Sequence, residues 1–253
     1  MLFRKRPTVA FATTVWEKDW RPVLLDPGYL KIKQIGNHLF PFAETLLVIN
    51  NVSDPTAVAA AAETHVREGT LSRFVFADEW AEEVLSFFRL SRLDFQIGPD
   101  ASRYEAVNSD WIYYNALGPL TALFSSRADY LLYLTGDVRL DKPVDWIGKT
   151  VARMEKSPRF KAANLVWNNR FDEARKESYR RGWNFYFAKE GFSDQMFLVK
   201  TEDFRQPIYG EIRPDSSHFP RGDVFEKRAF SAMKTRGWER LICARGSYTH
   251  ENF

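Results

Sequence analysis

The hydrophobic positions of this chain fall into short runs that stop abruptly at polar residues. Tyr130-Leu131-Leu132-Tyr133-Leu134 is an unbroken apolar run, closed by Thr135-Gly136-Asp137. A run of that length without alternation predicts a strand buried on both faces. Residues 8–15, 44–50 and 73–77 read as further strands, rich in β-branched and aromatic side chains. Helices are predicted over 56–68, 79–92 and 110–126, with a helix or irregular return over 30–42. Ser53 or Asp54 can cap the first of these helices, Pro55 stands near its first turn, alanines fill it and Gly69 ends it. Alternation of strands with helices predicts an α/β chain around a parallel sheet.

The pattern loosens after Asp141. A helix is predicted over 144–156, strands over 162–168, 184–188 and 195–200, and a charged, solvated helical face over 171–181. Residues 205–223 form the longest loop-like stretch, carrying Pro207, Gly210, Pro214 and Pro220. A helix over 224–235, closed by Gly237, leads to a last strand over 239–244. No linker interrupts the chain. One domain over 1–253 is expected, with a nucleotide-binding part at about 1–140 and an acceptor-side part at about 141–253.

The first four strands end in Thr13-Thr14, Asn50-Asn51, Asp78 and Gly136-Asp137. Polar residues at the carboxyl edge of an open α/β sheet are what a ligand crevice requires. Gly136 permits close backbone approach. Asp137 can hold a divalent metal against a substrate diphosphate, because hard cations prefer oxygen ligands; the same Asp can also simply cap the turn before Lys142-Pro143.

Composition narrows the field. The 253 residues are 45% hydrophobic and carry a net charge of +3. A sizeable core is affordable, and the charge is too mild for nucleic-acid binding, which favours a pronounced basic stripe. It suits anionic small molecules or an anionic membrane surface. The one cysteine, Cys243, cannot form an internal disulfide and lies in an apolar run, so it reads as core in a reducing compartment. The basic residues 1–7 precede no long apolar segment, so neither a signal peptide nor a membrane span is expected. The expected location is cytoplasmic, or peripheral at the inner face of the membrane.

Three stretches together resemble the nucleotide-sugar glycosyltransferases of the GT-A fold, family-2-like. Leu46-Leu47-Val48-Ile49-Asn50-Asn51-Val52-Ser53-Asp54 is similar to their second-strand signature. Tyr114-Asn115-Ala116-Leu117-Gly118, followed by Ala128 to Asp137, resembles the helix and strand that lead into their DxD motif. Gly222-Asp223-Val224 before a helix, then Tyr248-Thr249-His250, looks like their acidic catalytic segment and closing metal histidine. The resemblance covers most of the chain. It implies a Rossmann-like, mostly parallel central sheet flanked by helices, a Mn2+ or Mg2+ cofactor, a nucleotide-sugar donor and a glycan, lipid-linked or other hydroxyl acceptor. There are departures. Thr135 replaces the first acid of the DxD motif, and Asp223 lacks the usual preceding acid.

The resemblance distributes roles. It makes Asp137 and His250 the metal ligands, although His250, near the chain end, can equally be a surface histidine. Thr13, Thr14, Asn50, Asn51, Asp78, Asn115 and Gly136 are the nucleotide-sugar-binding residues. Asp223 is the candidate general base of an inverting transfer, in which a carboxylate takes the acceptor hydroxyl proton; it can equally be the N-cap of its helix. Asp194, in an Asp-Gln element like that of other GT-A families, including some retaining ones, is the rival, and Glu226 a weaker alternative. Trp111, Trp167, Trp183 and Trp238 can stack on sugars or pack in the core. Two other readings stand beside this one. A nucleotidyltransferase has a related sheet, but its Gly-rich phosphate loop is absent after the first strand. A catalytically inactive GT-A-like binding protein would suit the incomplete DxD.

Overall fold

In the chain's computed structural model the apolar runs pair into one sheet. Residues 6–95, 109–211, 213, 224–251 and 253 are described. In order, the elements are β1 (Val9–Val15), α1 (Trp20–Leu25), β2 (Glu44–Ile49), α2 (Pro55–Arg67), β3 (Arg73–Phe76), α3 (Ala77–Phe87), α4 (Ser109–Ser125), β4 (Tyr130–Thr135) and β5 (Val138–Arg139). There follow α5 (Ile147–Glu155), β6 (Phe160–Trp167), α6 (Phe171–Glu177), β7 (Arg180–Arg181), β8 (Phe185–Ala188), β9 (Met196–Lys200), α7 (Thr201–Phe204), α8 (Phe225–Arg236) and β10 (Glu239–His250).

The strand order is β3-β2-β1-β4-β9-β6-β10-β8-β7, with β5 paired to β10 off this path. The α/β architecture is the one expected. β3, β2, β1 and β4 run parallel. β9 is inserted antiparallel between β4 and β6, and β6 pairs parallel with β10. The sheet is therefore continuous from the first strands to the last.

Strand alternation divides the core into two layers. Phe11, Leu132, Leu134, Leu165 and Leu241 face one layer, where Trp20 and Val23 of α1, Val58 of α2 and Ile147 and Val151 of α5 cover them. Ala10, Ala12, Leu131 and Tyr133 face the other, covered by Val84 of α3, Ala116 and Leu120 of α4 and Ala229 of α8. Gly118 lets α4 press close to the sheet: a Cβ there would lie 2.9 Å from the Thr14 side chain. Cys243 is buried in β10, as its apolar run implies. Asp54 caps α2, its Oδ1 accepting the Ala57 N–H at 3.0 Å, with Pro55 in the first turn.

Three departures from the sequence pattern shape the site. First, α1 stands in the stretch after β1; six residues are too few to show a helical period. Second, the return over 30–42 is a π-helix, Tyr29–Ile35, followed by a 3-10 turn, Gly36–His38. Single π-turns often mark functional sites. Third, the last strand does not stop at residue 244. A register shift against β6 between Cys243 and Ser247 absorbs the extra residues, as a bulge does, and the strand runs on to His250. No helix among the described residues is long and apolar enough to cross a membrane.

Candidate active site

The carboxyl ends of β1, β2 and β4 open into a cleft of about 740 Å³. Its lining includes Thr14, Trp16, Lys18 and Asp19 after β1, Asn50 and Asn51 after β2, and Gly136 and Asp137 after β4; Trp111, Tyr114 and Asn115 come from α4 and His250 from β10. The cleft lies where an open α/β sheet presents its ligand crevice.

The turn that carries Asp137 is clamped from behind. The buried Gln34, in the π-helix, donates from Nε2 to the carbonyls of Thr135 at 3.2 Å, Gly136 at 3.0 Å and Val138 at 2.8 Å. The Glu251 N–H donates to the Asp137 carbonyl at 2.8 Å. On the side chain, Thr135 Oγ1 donates to Asp137 Oδ1 at 2.7 Å. Thr135 thus orients the Asp137 carboxylate. Asp137 Oδ2 lies 2.9 Å from His250 Nε2. The Asp137 carboxylate, through its hydrogen bond and its charge, raises the His250 pKa above the ordinary imidazole value, against the opposing effect of burial. The Gln195 amide lies 3.3 Å from the other ring nitrogen, Nδ1.

The pair suits a divalent cation. Carboxylate oxygen and imidazole nitrogen face one another across the distance of a shared proton, which a cation can replace. Among the described residues, no group of three His, Cys, Asp or Glu is placed to hold a metal. A cation here would take its remaining ligands from substrate oxygens and water, as Mg2+ commonly does.

Gly136 has a second constraint. A Cβ at this position would lie 2.5 Å from Asp19 Oδ2 and 2.8 Å from the Thr14 carbonyl oxygen. The glycine therefore makes room first for a protein carboxylate. Asp19 is buried, accepts the Trp16 N–H at 2.7 Å through Oδ1, and has its pKa pushed well above the usual carboxylate range by burial.

A smaller pocket of about 250 Å³ adjoins the cleft, lined by residues of β6, α6, β10 and the segment before β9. Three residues line both cavities: Asp194, Gln195 and Glu226. Burial raises the Asp194 pKa, with a side-chain hydrogen bond from Asn115 pulling the other way. Burial, aided by the Asp194 charge, pushes Glu226, in the first turn of α8, up to about 7. A carboxylic group titrating near 7 between two cavities, as Glu226 does, is matched to proton transfer near neutral pH.

The structure thus brings Thr14, Asn50, Asn51, Asn115, Gly136, Asp137, Asp194 and His250 together around one cleft. It does not bring Thr13 or Asp78 there. Thr13 is fully buried, because strand alternation turns it to the face opposite Thr14. Asp78 lies in the first turn of α3, after the edge strand, where its charge acts on Tyr113 and Tyr114. Asp223 lies outside the described residues, as does most of the 205–223 loop. The start of that loop is packed: Tyr209 is buried and its carbonyl accepts from Arg228 Nη1 at 2.8 Å. Trp111 lines the cleft and Trp167 the pocket, whereas Trp183 is 98% exposed and Trp238 packs against the core. Sequence reasoning missed Gln34, Trp16, Lys18 and Asp19. The last three directly follow β1, and a polar segment after the first strand of a parallel sheet is itself a signal of a ligand edge.

No family model matches the chain, and no curated protein matches it in sequence. Solved structures do match in shape. A mannosyltransferase from Pyrobaculum calidifontis, solved with GDP-Man and Mn2+, superposes with a TM-score of 0.52 at 16% identity, over 97% of this chain and 57% of its own. GalNAc-T7, solved with UDP, GalNAc and Mn2+, does so with a TM-score of 0.53 at 12% identity, over 96% of this chain and 43% of its own. The chain has the GT-A fold. It spans little more than half the length of the mannosyltransferase and less than half that of GalNAc-T7.

Proposed function

We propose that the protein is a metal-assisted, nucleotide-sugar-dependent glycosyltransferase that inverts the anomeric centre. The observation that carries this reading is the shared wall of Asp194, Gln195 and Glu226, where a ligand of the large cleft and a ligand of the small pocket would meet. The GT-A fold supports it, as do the two GT-A structures that hold a nucleotide or nucleotide sugar with Mn2+.

In this reading the donor occupies the large cleft. Asn50, Asn51 and the aromatic rings of Trp16, Trp111 and Tyr114 receive the nucleoside. Lys18, lying over the Trp16 ring with its ammonium 5.4 Å from the centroid, brings a cation to the diphosphate. Asp137 and His250 would hold a Mn2+ or Mg2+ ion, which supplies charge neutralisation for the departing diphosphate. The acceptor occupies the small pocket, in the acceptor-side part of the chain. Its hydroxyl oxygen forms the new bond to the anomeric carbon, the bond from that carbon to the diphosphate oxygen breaks with its electron pair, and the hydroxyl proton passes to a carboxylate. Glu226, titrating near neutrality, is the described carboxylate best matched to take it. Asn115 and Gln195 orient Asp194 and His250 at the junction.

A panel of nucleotide sugars with Mn2+ or Mg2+ tests the reading by donor hydrolysis and transfer. One nucleotide sugar should be consumed only with metal. If none binds or turns over under either metal, the reading fails.

A further inference from the structure

The small pocket differs in charge from what an anionic ligand needs. Its two guanidinium groups are already engaged. Arg170 pairs with Glu173 at 3.1 Å and stacks 4.2 Å from the Trp167 ring centroid. Arg240, 7% exposed, pairs with Glu177 at 2.9 Å. Two further carboxyl groups, Asp194 and Glu226, stand at the junction. The lining therefore holds four carboxyl groups against two cations, and both cations are neutralised within the wall.

The pocket is nonetheless rich in hydrogen-bonding capacity. Arg240 Nε, Trp167 Nε1 and Asn164 Oδ1 are buried without a protein partner. Asn164, 5% exposed, uses only its Nδ2, which donates to the Leu165 carbonyl at 2.7 Å. The Ser193 and Tyr248 hydroxyls lie 3.0 Å apart on the same lining. Buried polar atoms left unpaired are costly unless a ligand or water satisfies them. Donors and acceptors mixed around an aromatic wall, with no spare positive charge, match a ring bearing hydroxyl groups. The volume of about 250 Å³ lies below the roughly 300–1,000 Å³ of sites for drug-sized ligands, which points to one ring.

We propose that this pocket takes a single uncharged sugar ring as acceptor and rejects phosphorylated or carboxylated acceptors. The proposal rests on the glycosyltransferase reading for the word acceptor. The pocket's ligand class stands on its own lining.

Binding of D-glucose, D-galactose and D-mannose, each free and as the methyl glycoside, is measured by saturation-transfer NMR and calorimetry beside glucose 6-phosphate and glucuronate. Free and glycosidic forms tell a metabolite from a chain end. At least one neutral ring should bind about tenfold or more tighter than either anion, since the lining has no spare cation to pair with a buried negative charge and an unpaired buried charge is strongly unfavourable. Glu177→Gln changes a residue of the small pocket alone, one whose side chain is 55% exposed, so the fold should persist. It frees the Arg240 guanidinium and should shrink that preference by several-fold. Anions binding as tightly as the neutral rings, no ring binding at all, or a preference unmoved by Glu177→Gln would each overturn the proposal. Nucleotide binding, measured on the same samples, keeps the two readings apart. Donor binding without sugar binding sinks the pocket alone, and sugar binding without any donor binding sinks the glycosyltransferase reading.

Discussion

The two cavities are built by different means. The large cleft is an edge: three parallel strands stop, and their terminal turns face one opening. Its key groups are held through backbone, with the Gln34 side chain gripping the carbonyls of Thr135, Gly136 and Val138 in the β4–β5 turn and α4 held against β1 at Gly118. The small pocket is an assembly of side chains from α6, β6, β10 and α8, linked by ion pairs such as Arg240–Glu177 across 63 positions of sequence. An edge of this kind recurs wherever the fold does. An assembly of this kind depends on individual side chains. The difference bears on the proposed function: donor chemistry would reside at the edge, and choice of acceptor in the assembly.

The strongest way to break that division is at the shared wall. Glu226→Gln should lower kcat by about 100-fold or more, the lower range for a positioned base, while nucleotide binding stays near the parent value. In the parent, turnover should rise with pH through about 7, because the raised Glu226 pKa leaves the group protonated below that point. The variant should lose that limb. If Asp194→Asn or Asp223→Asn removes turnover and Glu226→Gln does not, the base belongs elsewhere.

A second test stays within the edge. Gly136→Ala drives a Cβ against Asp19 and the Thr14 carbonyl, and overpacking of that kind costs about 1–3 kcal/mol. Thermal unfolding should shift down, and nucleotide binding should weaken more than sugar binding in the small pocket. Equal losses in both cavities would contradict their separate construction.

The third test uses pH on the Asp137–His250 pair. The raised His250 pKa means that the ion pair with Asp137 is fully formed below the ordinary imidazole value of about 6.5 and is lost as pH rises through the raised one. The proton and a cation compete for the same nitrogen. Mn2+ binding, followed by electron paramagnetic resonance, should tighten as pH rises through that window, and His250→Gln should flatten the dependence. The smallest effect sharpens the map by exclusion: Trp183→Ala, at a ring that touches neither cavity, should change stability by less than about 0.5 kcal/mol and leave both binding reactions alone.

Much of the edge was legible in the sequence and little of the assembly. Apolar runs with polar stops located β1, β2, β4 and the residues Thr14, Asn50, Asn51 and Asp137, since strand period and chain breaks are local properties. Thr13 was misplaced because adjacent residues on a strand face opposite ways and a Thr-Thr pair does not say which is inward. Asp78 was placed in the crevice on the strength of its strand, and that strand lies at the sheet's edge. Gln34 looked ordinary because its role depends on a turn 101 to 104 positions away. His250 reaches Asp137 only through the irregular pairing after Cys243, which no periodicity announces. The Glu226 shift comes from burial and from Asp194, and neither is visible along the chain.

The central claim is that the turn after β4 holds a cation for a nucleotide diphosphate. Calorimetry of UDP and GDP against the parent protein and Asp137→Ala, with Mn2+ and with chelator, tests it most directly. One nucleotide should bind the parent only with Mn2+, and Asp137→Ala should lose the Mn2+-dependent part while its unfolding temperature stays near the parent's. Binding that is indifferent to Mn2+ in the parent, or undiminished in Asp137→Ala, would contradict it.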